Sequence, residues 1–462
     1  MAVVGGGMAG LTAALSAAER GADVILIEAG SAPGGSACLS SGRIWTLPDY
    51  ETFRRTVPLG DARLQCMLTS SLESAFEWLA SSVGHLGPQA TDKPGIGRQM
   101  LLGRTGDRGA YFRRFAERCA AAGVRLEFDA ELVGLVRADA ACELDVRRNG
   151  LGLRVMARSV VLATGGMQGD REGLSKHLGP EAALLMLRSN PHSRGAGVRA
   201  GLAVGGVPSR GCSGFYGKSM PRHADLVQPG EFKRFTLDIA RHTLAVNVDG
   251  LRFVDEAAGS SGEAIPNAGL YQPDGGRYFL LINGSQSLSL QVDDLADLAA
   301  RAGVALDSIL LEADTADDLA DRMAAAWGVD RHGLALTLAE ATDASRLGHG
   351  QSMLPPRRRA PVPLRVPPIR AVACRPAITI PFGGLSVDPD MTLTDANGTP
   401  IAGVYAAGAD AGGVYAGTYA GGLAWALASG RVAGLRAAAR RGDQVEEEQS
   451  CPGPSLGSGS GP

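Results

Sequence analysis

One run of six residues, Gly5-Gly6-Gly7-Met8-Ala9-Gly10, constrains this chain more than any other. It follows the apolar Ala2-Val3-Val4 and opens the apolar-rich stretch Leu11 to Ala18. That order predicts a strand, a glycine turn and a helix. Gly21 stops the helix, and Asp23 to Glu28 predicts a second strand, completing a βαβ unit. Gly5, Gly7 and Gly10 make G-x-G-x-x-G in the context that gives the pattern meaning. Gly5 permits the tight turn, Gly7 lets backbone approach a pyrophosphate, and Gly10 lets helix pack on strand. The start of the helix offers unpaired N–H groups and a positive dipole end to phosphate. Glu28 closes the second strand, 18 residues after Gly10, where a carboxylate accepts bonds from ribose hydroxyls. The expectation is a dinucleotide site; an unrelated glycine turn is the competing reading.

Composition narrows the class. The 462 residues include 64 glycines, about twice average usage, with 45 % hydrophobics and no Gly-X-Y period. Collagen and disorder are excluded, and many tight turns or close backbone approaches are expected. The net charge of −3 gives no nucleic-acid footprint. Lysine is rare: Lys93, Lys176, Lys218 and Lys233 are the whole set. The seven cysteines are scattered and form no CxxC pair, which argues against zinc and disulfide frameworks. No metal site is expected. No signal peptide precedes the first motif, and no run of about 20 apolar residues appears, so a cytoplasmic protein without a transmembrane segment is expected.

Along the chain, residues 61–82 and 108–122 predict amphipathic helices. Strands are expected at 124–128, 132–136, 142–147, 152–156 and 159–164. The interval 212–372 changes character. It holds a strand at 244–248, the charged turn Asp249 to Glu256, and an alanine- and aspartate-rich helical run from 293 to 345. Pro355 to Pro368 predicts a connector. From Ala371 the glycine-rich strand style returns, ending in a helix at 421–440, and 441–462 predicts a disordered tail. The expected architecture is α/β: a discontinuous Rossmann-like domain (1–211 and 373–440) with an inserted α+β capping domain at 212–372.

Further motifs sharpen the cofactor. Pro33-Gly34-Gly35-Ser36 and Ser40-Ser41-Gly42 follow Glu28 closely, and their small side chains would let backbone run along a ribityl chain and flavin. Ala163-Thr164-Gly165-Gly166 ends a later strand, and Gly403 to Asp410 repeats the style near the C-terminus. This spaced set resembles the flavoprotein family of fumarate reductases and succinate dehydrogenases, which includes 3-ketosteroid dehydrogenases. The resemblance covers nearly all of 1–440. It implies FAD as cofactor and an inserted domain that caps the flavin. Expected cofactor contacts are Gly5, Gly7, Met8, Ala9 and Gly10 at the phosphates, then Glu28 and Ala29. Gly34, Gly35, Ser36, Ser40, Ser41 and Gly42 are expected along the flavin. Leu132, Val133, Ala163, Thr164 and Gly165 join them, with Gly408, Asp410, Gly422, Leu423 and Ala424 from the C-terminal part. Asp410 is placed near the ribityl, and the helix starting at Gly422 is aimed at the flavin's pyrimidine end. Some relatives link FAD to a histidine after the glycine pair. Here Ser36-Ala37-Cys38 stands, with no histidine between 29 and 84, so non-covalent FAD is expected. Gly195 to Gly201 mimics a second dinucleotide loop, but no strand precedes it.

The resemblance also locates the chemistry. Arg252, in Asp249 to Glu256, matches an arginine that donates a proton in fumarate reductases; a salt bridge to Asp255 or Glu256 is the competing reading. Pro381-Phe382 stands where a substrate-binding histidine pair would lie, and Tyr419 stands where a substrate-clamping arginine would lie. Without that clamp, bidentate carboxylate recognition is lost, and succinate or fumarate is not expected. Tyr419 instead resembles the base of 3-ketosteroid dehydrogenases, with backbone near Gly422 and Leu423 as oxyanion donor. Tyr419 needs activation, since a free tyrosine has a pKa of about 10, and Arg252 or Tyr415 is a candidate source. Alternatively, Tyr419 only lines the pocket. His242, Tyr216 and Tyr415 are further pocket candidates. The expected function is a dehydrogenase that desaturates, or reduces, a carbon–carbon bond α,β to a carbonyl in a small substrate. A flavin oxidase or hydroxylase, or a non-catalytic flavin-binding protein, is the alternative. Oxygen, a quinone or a redox protein all stay open as electron acceptor.

Overall fold

The short strand Ala2–Val4 is apolar throughout and buried throughout, as a strand covered on both faces must be. In a computed structural model it is a central strand of a six-stranded sheet. The structure describes residues 1–84, 86–87, 96–103, 107–138, 141–259, 262–286 and 291–439; the tail expected at 441–462 lies outside them. The sheet order is Thr392–Thr394, Pro400–Ala406, Val160–Leu162, Ala2–Val4, Ile25–Ile27 and Arg125–Glu127. Every neighbouring pair is parallel except the outermost, Thr392–Thr394 with Pro400–Ala406. Strands from both ends of the sequence therefore share one sheet.

The first helix, Met8–Ala18, packs on the last long helix, Gly422–Ala438. Gly430 and Gly434 make this possible: a Cβ on either would collide with the carbonyl oxygen of Ala9 or Ala13. The amphipathic helices Ala62–Ser82 and Arg108–Ala121 form as expected, each started by an aspartate, Asp61 or Asp107, that accepts backbone N–H bonds of the first turn. An antiparallel three-stranded sheet, Ala130–Arg137, Cys142–Arg148 and Leu151–Ala157, stands beside the main sheet.

A second large sheet is organised around the 13-residue strand Ile369–Pro381. Antiparallel to it run Phe215–Pro221, Tyr278–Ile282 and Leu310–Ala313, and Met186–Leu187 pairs with it in parallel. This corrects two readings. The second sheet is not confined to 212–372, because its principal strand continues to Pro381 and Met186–Leu187 joins from the other side. The apolar run from 369 resembles a main-sheet strand in sequence because both are buried. The helical run at 293–345 is also divided. Helix Val292–Ala302 ends at Gly303, strand Leu310–Ala313 intervenes, and helices Ala316–Trp327 and Arg331–Leu347 follow. Four apolar and acidic residues are too few for periodicity to separate strand from helix. Among the described residues, no helix is long and apolar enough to cross a membrane.

A buried ionic cluster ties this second unit together. The Arg252 guanidinium donates to both carboxylate oxygens of Glu256, at 2.9 and 2.8 Å, and Arg357 donates to the same group at 3.2 Å. Glu256 also accepts the Ala245 N–H at 3.0 Å. The side chains of Arg252, Glu256 and Arg357 are 0, 0 and 3 % exposed, so no water can replace a lost partner. Arg357 comes from the Pro355 to Pro368 segment, which therefore does more than connect. Glu256→Ala would leave two buried guanidinium groups without their carboxylate. It is expected to cost about 3–5 kcal/mol of stability in urea unfolding; a loss below about 1 kcal/mol, the range of exposed pairs, would contradict the burial argument.

Candidate functional site

The carboxyl ends of four parallel strands open onto one cavity of about 730 Å³, lined by Val4, Ile27, Ala163 and Ala407 among others. This is where open α/β sheets bind ligands. At the first strand the chain turns at Gly5 (φ +110°), and helix Met8–Ala18 begins with Gly7 as its cap. No side chain caps that helix start, so its first N–H groups remain for a ligand. Gly7, Met8 and Ala9 all line the cavity. A Cβ on Gly7 would meet no protein atom within 4 Å and would project into this cradle. Glu28 is fixed beside it, its two oxygens accepting the N–H groups of Gly6 (2.5 Å) and Gly30 (2.7 Å). Beyond Glu28 the cavity ends among Asp129, Leu132, Arg147 and Asn149.

The middle of the cavity is built from Gly34, Gly35, Ser36, Ser40, Ser41, Thr164, Gly165 and Gly408. Ser36 Oγ lies 2.9 Å from Ser189 Oγ, and Gln168 Nε2 donates to Ser189 at 3.1 Å. The segment that imitates a second dinucleotide loop supplies Ala196 to a wall here, and the residues just before it supply Asn190, Ser193 and Arg194. An elongated trough with a bare helix start, a buried ribose-type carboxylate and a small-residue floor fits a dinucleotide such as FAD.

The far end is aromatic and cationic. Tyr419 stacks face to face on Tyr216, centroids 3.8 Å apart, and meets Trp45 edge-on at 5.9 Å. The Gly422 N–H donates to Tyr419 Oη at 2.6 Å, and the Tyr419 N–H donates to the buried carboxylate of Glu263 at 3.0 Å. Burial pushes the Tyr419 hydroxyl above its ordinary pKa; the neighbouring Tyr216 hydroxyl and the Glu263 carboxylate add to this, while the Gly422 N–H and the Arg188 charge oppose it. Tyr415 lines the same end and donates to the Gly421 carbonyl at 2.9 Å; burial raises its pKa well above the ordinary value.

Several expected site residues lie elsewhere. Arg252 does not reach the cavity, because its guanidinium is spent on Glu256 and on the carbonyls of Pro355 and Val254. The cation whose charge reaches Tyr419 is Arg188. His242 is also outside, with Nε2 accepting from Arg241 Nε at 3.1 Å. Val133 is 60 % exposed: alternate side chains of a strand face opposite ways, and Leu132 takes the cavity side. Gly42 turns at φ +70° against Arg108 and does not line the cavity. Gly10 and Ala424 are packing positions; a Cβ on Gly10 would collide with the Gly5 carbonyl oxygen. Asp410 is fully buried and is not among the residues that line the cavity. It accepts the Thr164 N–H (2.5 Å), the Thr164 hydroxyl and the Gly166 N–H (2.8 Å), and burial raises its pKa. It joins two strand ends instead of contacting a ribityl.

Residues missed in the sequence are Arg188, Trp45, Glu263 and the pair Lys218–Asp238 (3.2 Å). One signal was available: two of only four lysines, Lys218 and Lys233, line the cavity.

Comparison with known proteins agrees with this geometry. A family model described as an FAD binding domain matches residues 1–58 and 73–423. A fumarate reductase (cytochrome) of Shewanella frigidimarina is 26 % identical over 479 residues, covering 94 % of this chain and 76 % of that protein. A 3-ketosteroid Δ1-dehydrogenase structure from Sterolibacterium denitrificans superposes with a TM-score of 0.73 at 18 % identity, covering 95 % of this chain and 98 % of the other. A 3-ketosteroid Δ4-(5α)-dehydrogenase structure from Rhodococcus jostii RHA1 gives 0.70 at 22 % identity, covering 95 % and 96 %.

Gly7→Val tests the cradle. Gly7 has φ −79°, which valine tolerates, and its Cβ direction is open. The apoprotein should unfold within about 0.5 kcal/mol of the native chain, while FAD retained after desalting, read from the flavin absorbance per protein, falls at least about tenfold. Undiminished FAD would place the pyrophosphate elsewhere.

Proposed function

Because the chain belongs to the FAD-binding-domain family of flavoprotein oxidoreductases, we propose that it desaturates, or in reverse reduces, a carbon–carbon bond α,β to a carbonyl in a small organic substrate. When bound, FAD supplies hydride uptake or return. Gly5, Gly7, Met8 and Ala9 hold the pyrophosphate and Glu28 a ribose, while Gly34 to Ser36, Ala163 to Gly165 and Leu423 hold the remainder. The cofactor is bound non-covalently. In Ser36-Ala37-Cys38 the Cys38 thiol lies outside the cavity lining and donates to the Pro33 carbonyl. Burial pushes its pKa up to about 11.

The observation that carries the reading is the pairing of the Tyr419 hydroxyl with the Gly422 N–H at 2.6 Å at the aromatic end of the cavity. A substrate carbonyl oxygen seated there meets a phenol whose own oxygen accepts from a backbone N–H, which strengthens the phenol as a donor. Burial keeps Tyr419 protonated near neutrality, which favours a role different from the base expected from sequence. Tyr419 holds its proton at Oη and polarises the carbonyl as a hydrogen-bond donor. Polarisation acidifies the adjacent Cα–H, whose proton leaves toward the solvent-open side of the cavity, and stabilises the enolate oxygen, the effect a positioned donor gives to developing negative charge. Trp45, Tyr216 and Phe382 supply flat apolar walls that exclude water from the bond being changed. Pro381 and Phe382 line the cavity as apolar walls where the resemblance places a histidine pair, so the cations at this end come from other segments.

Anaerobic mixing of the holoenzyme with a panel of ketones, enones and keto acids should bleach the flavin with at least one member. Tyr419→Phe should slow that reduction by roughly 10²–10³-fold, with FAD content unchanged. The pH dependence separates donor from base. With the hydroxyl raised above its ordinary pKa, the neutral phenol persists through the accessible range. The rate should then show no tyrosine ionisation between about pH 6 and about pH 10. A rate that climbs toward the alkaline side would identify phenolate as the active form, and a flavin left oxidised by the whole panel would overturn the reading.

A further inference from the structure

The aromatic end of the cavity contains a positively charged group that the carbonyl chemistry does not use. Strand Met186–Leu187 runs parallel to Ala377–Ile378, and the next residue, Arg188, bonds its own N–H to the Ile378 carbonyl at 2.8 Å. This fixes the Arg188 backbone at the cavity wall. Its side chain is held at two points: Nε donates to Thr236 Oγ1 and Nη1 to Thr379 Oγ1, both at 2.9 Å. Both acceptors are neutral hydroxyls. Among the described residues no carboxylate forms an ion pair with Arg188, whereas Lys218 beside it is paired with Asp238 at 3.2 Å.

The rest of this end has the same sign. Arg43 donates to the Gln99 amide oxygen at 3.1 Å, and Lys233 lines the exposed rim. Among the described lining residues of this end, Asp238 supplies the one carboxylate against Arg43, Arg188, Lys218 and Lys233. A half-buried guanidinium without a counter-ion is costly, and a fixed planar fork matches a carboxylate edge. Arg188 bonds Thr379, the neighbouring Ile380 pairs with Tyr216, and Tyr216 stacks on Tyr419, so Arg188 and Tyr419 face one end of the cavity that a single small molecule can span.

We propose that Arg188 is a specificity residue that binds a carboxylate carried by the substrate, so that the substrate class is keto acids. This rests on the reading that the aromatic end of the cavity holds the carbonyl substrate. The site differs from a clamp for small dicarboxylates: one arginine, arriving from the Met186–Leu187 strand, faces one phenol that takes the carbonyl.

The test uses the FAD-loaded protein and matched probes: levulinate with methyl levulinate, and a cyclohexanone carboxylate with its methyl ester. Binding is read from perturbation of the flavin spectrum. For at least one pair the acid should bind at least about tenfold more tightly than its ester, the worth of one charge-assisted contact. In Arg188→Met the ratio should fall to about one, and Arg188→Lys should keep part of it, because it keeps the charge and loses the fork. FAD content and the unfolding midpoint are measured for both variants, so that a folding defect in one leaves the other as the test. An acid-to-ester ratio that persists in Arg188→Met overturns the proposal. So does the absence of any acid preference in the native protein, including failure of every acid to perturb the flavin. The two readings fail separately. An Arg188-dependent preference with a flavin that no probe bleaches would leave the carboxylate site and remove the desaturation; equal bleaching by acid and ester in every variant would do the reverse.

Discussion

The carboxylate of Asp410 is the contact on which the rest of the site depends. Its oxygens accept two backbone N–H groups and a hydroxyl from Thr164 and Gly166, about 245 residues earlier in the chain. Strand Pro400–Ala406 is thereby locked to Val160–Leu162 at the ends that open into the cavity. A buried carboxylate is tolerable only when its lone pairs are met, so the two strand ends hold each other in one geometry. The floor at Ala163 to Gly165 and the start of the last helix at Gly422 inherit their positions from it.

The two ends of the cavity handle negative charge by different physics. At the phosphate end the donors are backbone N–H groups at a helix start, whose positions follow from the fold alone. At the aromatic end the polar groups are side chains, Tyr419 and Arg188, with Lys218 paired to Asp238. Backbone donors serve a ligand common to a family, while side-chain donors can be exchanged without disturbing the fold. The Arg252–Glu256–Arg357 cluster lies outside both ends and holds the second unit in shape.

What was legible in the sequence follows the same division. The loop Gly5 to Gly10, Glu28, the glycine pair at Gly34 and the return of glycine at Gly408 could be read because local backbone needs dictate residue type. Tyr419 was legible through the motif around it. Arg188 was not, because its neighbours Thr236 and Thr379 are brought to it only by tertiary pairing. For Arg252 the salt-bridge reading holds, with Glu256 as partner, while Asp410 was misread because a charged residue in a telling motif does not reveal which partner it faces. Val133 failed on strand alternation, and the strand Ile369–Pro381 failed because a buried strand looks alike in either sheet.

The crossing of the first and last helices, set by Gly430 and Gly434 against Ala9 and Ala13, fixes an order of events. The phosphate loop has no partner for one face of its helix until residues near 434 are in place. Contacts of such high sequence separation form late and close a long loop. The trough therefore stays incomplete until two segments more than 400 residues apart are joined, and a chain cut short before the last helix presents a nucleotide loop with one helix face uncovered.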